Sequence, residues 1–351
     1  MAAGSRILVV LTSNARRGAE IEGSRVAHEL EARGLPAAVV ALSGPGDDST
    51  GLPVEVLGHR PLGIETLRGL RKAGRSFDLV VAFGSTTLPA CAAALAGTGT
   101  PWIYRSIGDP AAWAGGAARR RRTGLQMRRA AAVVALWDGA AEWIRRHYGV
   151  GEVTSIPNAR RASEFPPATA AERGRAKAER LGNTDPTVAL VGALTEEKRP
   201  DLAVRIVAGL EHTNLVIAGD GPRRGEVEAL GSRLLPGRFL SLGNVTDVRP
   251  VYAMADALLL TSRTEGMPGV VIEALMAGVG VAASDVGAIA SIHPAIRLVK
   301  PEAPLPTWRD AVHSAVSSRP DSTSMDRFDW SAVGDAWFRT LTAHLRPSTR
   351  G

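Results

Sequence analysis

The 351-residue chain has a single cysteine, Cys91. One thiol builds no intrachain disulfide and no cysteine-rich metal site, and the setting expected of such a chain is the reducing cytoplasm. Cys91 lies in the small-residue run Pro89 to Leu95 and reads as a buried small side chain. Lysine is almost missing. Lys72, Lys177, Lys198 and Lys300 are the only four, so arginine carries the net charge of +7. That surplus suits phosphate-bearing substrates, anionic lipid or nucleic acid. Nucleic acid is set aside, because no binding motif and no aromatic interleaving accompany the arginines. Long apolar runs are also missing. Ile7 to Leu11 is too short for a signal-peptide core, and nothing approaches the roughly 18–20 apolar residues of a membrane span. The expectation is a cytoplasmic chain that touches a membrane at most from its inner face.

Hydrophobic residues make up 45% and charged residues 22%, an ordinary globular balance. The length predicts two domains. Short β-branched runs alternate with helical stretches. Arg6–Leu11, Ala37–Leu42, Asp78–Phe83, Trp102–Tyr104 and Ala131–Leu136 read as strands of a first unit. Thr187–Val191, Asn214–Ala218, Phe239–Leu242, Ala257–Leu260 and Val279–Ala283 read as strands of a second. Strands apolar throughout, separated by helices, imply parallel sheets covered on both faces, and hence an α/β fold. The predicted boundaries are a first lobe over 1–157, a connection with one solvated helix over 158–186, a second lobe over 187–327, and a C-terminal helix over 328–351. Trp330, Val333, Trp337, Leu341 and Leu345 give that last helix one apolar face with which to dock across the lobes. Two doubly wound units place the expected ligand cleft between them.

The most informative segment is EGMPGVVIE, Glu265 to Glu273. It follows the strand ending near Thr261 and opens a helix near Gly269. Free amides at a helix N-terminus attract anions, so a diphosphate fits there. Pro268 starts the helix without wasting a donor but offers none itself. The amides of Met267, Gly269, Val270 and Val271 remain as candidates. Glu265 and Glu273, about one helical turn inside, put two carboxylates along one edge. One suits sugar hydroxyls and the other a ribose diol. Lys198 is a rare lysine in a strand-to-helix loop of the same lobe, suited to stabilising a leaving diphosphate.

From Asn244 to Gly278 the sequence strongly resembles the second lobe of family 4 glycosyltransferases. The likeness extends to Val191–Asp201 (VGALTEEKRPD), Ala218–Pro222 (AGDGP), Ile156–Asn158 (IPN) and Arg17–Glu20 (RGAE), so it covers nearly the whole chain. It implies the GT-B fold, two Rossmann-like lobes facing a central cleft. It also implies a nucleoside-diphosphate-sugar donor on the second lobe, a sugar or lipid-linked acceptor on the first, and transfer with retention at the anomeric carbon. On this resemblance Glu265 holds the donor sugar, Lys198 the diphosphate and Glu273 the ribose. Gly192, Arg199, Val245, Gly266, Met267, Gly269 and Val270 surround the donor, and Gly18 lets the first-strand loop approach the phosphates. No cofactor and no metal are expected, since the Asp-x-Asp of metal-dependent GT-A transferases does not occur.

The family pattern is broken in three places. Ala193 stands where many members carry a second diphosphate-binding arginine, which Arg199 or Arg17 would have to replace. Ile107 stands where many have a first-lobe histidine, leaving Asp109 and Arg105 as polar candidates for the acceptor side, Asp109 as the catalytic one. Gly287–Ser291 (GAIAS) replaces the family segment GGxPE. A non-catalytic nucleotide-sugar-binding protein and a GT-B epimerase are the alternatives. A nicotinamide dehydrogenase is disfavoured, because the third glycine of Gly219–Gly225 (GDGPRRG) falls one residue late. Arg119 to Arg122, with Arg128, Arg129, Arg145 and Arg146, make the first lobe locally basic and suit an anionic membrane surface.

Overall fold

The computed structural model describes residues 5–15, 18–44 and 51–345. The chain divides into two units, Met1–Asn158 with Trp330–Gly351, and Ala159–Asp329. In the first, the elements run β1 (Ile7–Ser13), α1 (Gly18–Ala32), β2 (Ala37–Ser43), β3 (Glu55–Val56), α2 (Ile64–Arg75), β4 (Leu79–Phe83), α3 (Thr87–Ala94), β5 (Trp102–Arg105), α4 (Ala117–Met127), β6 (Ala132–Ala135), α5 (Asp138–Tyr148) and β7 (Val153–Ser155). The strands form one parallel sheet in the order β3-β2-β1-β4-β5-β6-β7. Ile7 to Leu11 are fully buried at every position, as a strand covered by helices on both faces requires.

The second unit continues with α6 (Ala170–Leu181), β8 (Thr187–Val191), α7 (Pro200–Ala208), β9 (Asn214–Ala218), α8 (Arg224–Leu234), β10 (Phe239–Ser241), α9 (Arg249–Met254), β11 (Ala257–Leu260), α10 (Gly269–Met276), β12 (Gly280–Ser284), α11 (Ile289–Ile292), β13 (Arg297–Val299) and α12 (Leu305–Val316). Its six strands are also parallel, in the order β10-β9-β8-β11-β12-β13. Winding reverses between β8 and β11. The carboxyl ends of those two strands, on either side of the reversal, are the usual ligand position in such sheets. A core around Trp308, Ile206, Leu215 and Leu259 backs the sheet.

Residues 159–186 fold within the second unit. Thr169 and Glu172 close a capping box that starts α6. Most of that helix faces solvent, but the expectation of a purely solvated helix needs correcting, because Arg173 and Lys177 are buried. Lys177 Nζ meets the buried Asp256 carboxylate at 2.5 Å, and Arg173 donates to the Ala255 carbonyl at 2.5 Å. The cations that look like surface on a helical wheel anchor the helix.

The chain then returns to the first unit as α13 (Trp330–Thr342), which buries Trp330, Val333, Trp337 and Leu341 of the anticipated apolar face, whereas Leu345 lies beyond the helix end and is half-buried. Trp337 stacks on Phe83 with centroids 5.9 Å apart. Arg33 donates to the carbonyls of Trp330 and Ser331 and pairs with Asp335. Arg105, fully buried, lies against the Trp337 ring and donates to the carbonyls of Ala135 and Ile156 and to Asn158 Oδ1. Burial lowers its pKa to about 10, with the Glu22 charge opposing. Arg105 thus ties β5, β6 and the end of the sheet together. The reading of Arg105 as an acceptor-side group is corrected by that burial.

Candidate active site

The loops at the carboxyl ends of the second unit's central strands are packed backbone against backbone. Gly192 adopts φ +142°, a region suited to glycine, and its N–H donates to the Ala218 carbonyl. A Cβ on Gly219 would lie 1.8 Å from the Gly192 carbonyl oxygen, so the loops after β8 and β9 touch only because residue 219 has no side chain. Leu194 N–H to Asp220 O and Arg223 N–H to Leu194 O complete that seam.

The loop after β8 carries Lys198 and is strapped to the end of β11, where Thr261 Oγ1 donates to the carbonyls of Lys198 and Arg199, each at 2.9 Å. Arg199 itself sits at φ +51° with Pro200 opening α7 behind it. A non-glycine residue in that region stores about 1–3 kcal/mol and persists only when its surroundings enforce it. The result is that Lys198 Nζ reaches Glu265 Oε1 at 2.7 Å, 67 residues away in sequence. Ser262 Oγ donates to the same oxygen at 2.6 Å. The Glu265 side chain is 8% exposed and that of Lys198 30%, so the cation is the accessible partner. Gly287, at φ +60°, supports the loop from behind. A Cβ there would fall 2.1 Å from the Glu265 carbonyl oxygen, and Ala288 N–H donates to Gly266 O. The divergent GAIAS segment therefore still buttresses the glutamate.

Helix α10 begins at Gly269 with Pro268 as its N-cap, as the sequence predicts. Its first-turn amides are not all available. Val271 N–H donates to the Pro268 carbonyl at 3.1 Å, which removes it from the candidates, whereas those of Gly269 and Val270 meet no acceptor among the described residues. Met267 is buried, Gly266 is partly exposed, and Val245 is half-buried in the loop after β10. Glu273 is buried one turn inside the helix. Its Oε1 accepts from Arg160 Nε at 2.5 Å and its Oε2 from the Tyr252 hydroxyl at 2.9 Å. Burial, and then the neighbouring Glu273 charge, push the Tyr252 phenol well above its usual pKa, so it remains a donor. Neither Arg160 nor Tyr252 was signalled by spacing.

The remaining candidates are less tightly placed. Arg199 Nη1 donates to the Pro301 carbonyl at 2.7 Å, so its guanidinium already has a structural occupation. It also lines, with Glu196, Asp201, Arg223 and Arg263, a polar cavity of about 340 Å³. Arg17 lies outside the described residues. Gly18 opens α1, and a Cβ there would meet nothing within 4 Å, so packing does not demand glycine. Asp109, in the loop after β5, accepts the Ala111 N–H at 2.9 Å, a local turn contact. No group of three or more His, Cys, Asp or Glu suited to a metal occurs among the described residues. No described helix is long and apolar enough to cross a membrane.

Two family models match the chain: the glycosyl transferase 4-like domain over residues 17–159 and glycosyl transferases group 1 over residues 185–315. Among curated proteins, 2-deoxystreptamine glucosyltransferase of Streptomyces kanamyceticus is 31% identical over 180 residues, 46% of this chain and 45% of that one. A Campylobacter jejuni protein, GalNAc-alpha-(1->4)-GalNAc-alpha-(1->3)-diNAcBac-PP-undecaprenol alpha-1,4-N-acetyl-D-galactosaminyltransferase, is 37% identical over 93 residues, 25% of this chain and 26% of that one. The matches thus span less than half the length of these relatives. Anabaena HepE, solved with UDP and glucose, superposes with a TM-score of 0.81 at 18% identity, covering 96% of this chain and 99% of that one. With both family models in chain order and two parallel-sheet units of the same fold, the chain belongs to the family 4-like glycosyltransferases of GT-B architecture.

Proposed function

We propose that the protein transfers a sugar from a nucleoside-diphosphate-sugar donor to an acceptor hydroxyl, with retention at the anomeric carbon and without a metal ion. The observation that carries this reading is the Lys198–Glu265 contact at the β8–β11 reversal, shortly before the open amides of Gly269 and Val270 in the chain. Family membership and the presence of UDP and glucose in the HepE complex support a nucleotide-sugar donor.

In this mechanism the diphosphate lies against the amides of Gly269 and Val270. Lys198 stabilises the charge that grows on the leaving phosphate as the anomeric bond breaks. Glu265 accepts from donor-sugar hydroxyls, and Glu273 from the ribose. Gly192, Gly266, Met267 and Val245 shape the surrounding wall. Gly18 belongs to the phosphate side of the reading and Asp109 to the acceptor side, and Arg199 contributes to the loop's geometry. Retention follows from the family and not from any residue. Incubation with a panel of radiolabelled nucleotide-sugars tests the reading. Donor hydrolysis or transfer supports it. Epimer formation favours the epimerase, and binding without turnover favours a non-catalytic protein.

The acceptor reading is a phosphorylated or lipid-linked sugar, in line with the undecaprenol-linked acceptor that the Campylobacter relative is named for. Arg119 to Arg122 are all exposed on α4, with Trp113 54% and Leu125 52% exposed nearby in sequence. Cations beside an apolar anchor suit an anionic lipid surface, each basic residue adding about 1 kcal/mol. Vesicles containing anionic lipid are expected to sediment the protein and zwitterionic ones to leave it in solution. Equal binding to both contradicts the membrane reading.

A further inference from the structure

The Glu273 carboxylate has more company than ribose binding requires. Arg160 occupies one oxygen at 2.5 Å and Tyr252 the other at 2.9 Å, in a side chain only 8% exposed. Arg160 is itself fixed. Its Nη1 donates to the Ala159 carbonyl at 2.7 Å, and its backbone N–H donates to the Phe328 carbonyl at 2.8 Å. The guanidinium also fills the space a side chain would take at residue 269, since a Cβ on Gly269 would lie 1.8 Å from Arg160 Nη2. Gly269 is not at a positive φ, so its glycine answers to space rather than to backbone conformation. A cation set against the first residue of a helix opposes the helix dipole. Its placement makes sense only through the carboxylate one turn further in.

We propose that Arg160, with Tyr252, is a positioning residue that fixes the Glu273 carboxylate so that its remaining acceptor sites meet the ribose diol of the donor. This rests on the donor reading given above. An ionised carboxylate offers about four lone-pair sites on two oxygens, and Arg160 and Tyr252 take one on each. The two donors pin the carboxyl plane from opposite oxygens. The two sites left over are then oriented before the nucleotide arrives, which is what makes hydrogen bonds to a diol selective. Tyr252 stays protonated to do this, and its ring is held edge-on against Phe165 at 6.1 Å. The same geometry explains why sequence spacing around Glu273 is silent about it. The partners arrive from residues 113 and 21 positions away.

The test is nucleotide binding by calorimetry with UDP, GDP and ADP, each against its 2′,3′-dideoxy counterpart. The wild type is expected to prefer the diol about tenfold or more for the nucleotide it accepts, the scale of a hydrogen bond to a charged group. Arg160→Leu is expected to reduce that preference to about threefold or less while leaving dideoxynucleotide affinity nearly unchanged. Arg160→Lys should restore part of it. Tyr252→Phe, which keeps the ring packing and guards against a variant that fails to fold, should lower it severalfold. In turnover assays the same variants should raise donor KM with kcat little changed, the mark of lost uniform binding. Full diol preference in Arg160→Leu and Tyr252→Phe overturns the positioning role alone. So does an equal loss for both nucleotide forms, or tighter binding in Arg160→Leu, which would make Arg160 a blocking group. A wild type that binds nucleotide with no diol preference overturns the Glu273 role. A wild type that binds none of the three overturns the donor reading itself.

Discussion

Single positions decide how firmly the loop carrying Glu265 is held. Gly287 is the sharpest case, because its φ of +60° and the 2.1 Å approach of a hypothetical Cβ to the Glu265 carbonyl oxygen both exclude a side chain. Gly287→Ala is expected to push the Glu265 loop outward, cutting transfer at least tenfold, while the melting temperature falls by only a few degrees. Turnover and thermal unfolding of the same sample check it. His293 supplies a pH signature of the fold. Its Nδ1 accepts the Ala295 N–H and its Nε2 meets Ser324 Oγ, an arrangement for the neutral ring. Burial first, and the Arg327 charge second, lower its pKa below the usual value near 6.5, against a smaller pull from Asp321. The folded state therefore binds this proton more weakly than the unfolded state. Its contribution to stability is complete above about pH 6.5 and is lost as pH falls from there toward the lowered value. Melting curves between pH 5 and 8 should show the wild type losing ground to His293→Gln on the acid side; parallel curves would contradict this. At this scale the sequence was informative about identity and silent about partners. Glu265 and Lys198 stood out by context and rarity, and they meet at 2.7 Å. Arg160 and Tyr252 did not, because their contact with Glu273 depends on how distant loops fold. Arg105 misled, since a polar residue at a strand end looks accessible until the sheet and α13 close around it.

The secondary-structure elements follow the apolar pattern wherever burial is complete. All ten anticipated strands occur, with their ends shifted by at most two residues. The three that periodicity did not announce are β3, β7 and β13, each an edge strand of two or three residues. An edge strand has one neighbour and needs no apolar run to be held, and Glu55 and Val56 of β3 are exposed. Helix α6 teaches the complementary lesson. Its anchoring residues are charged, and the anchor point is Asp256 between α9 and β11, which also accepts from the Thr187 N–H at 2.9 Å and from Arg319 at 3.1 Å. Asp256→Asn leaves Lys177 and Arg173 buried without their counter-charge. The expected cost is about 3–5 kcal/mol, read as a lower denaturant midpoint with an unchanged slope. A cost below about 1 kcal/mol would mean that α6 is held by its apolar contacts instead.

Over the whole molecule, two parallel sheets were legible because their strands are apolar on both faces. The family was legible because motif residues cluster at the carboxyl ends of those strands, where such sheets bind ligands. The sugar, the nucleotide and the acceptor were not, since they depend on loop side chains rather than on the winding of the sheet. The proposed donor site draws on the second unit's own loops after β8, β9 and β11 and on the start of α10. The most direct test is release of nucleoside diphosphate from an accepted radiolabelled nucleotide-sugar by the wild type, Lys198→Ala and Glu265→Ala, with folding of each checked by circular dichroism. The wild type should turn over, and each variant should fall by about 100-fold or more with its fold intact. Turnover close to wild type in both variants would contradict the assignment of the Lys198–Glu265 pair to the chemistry.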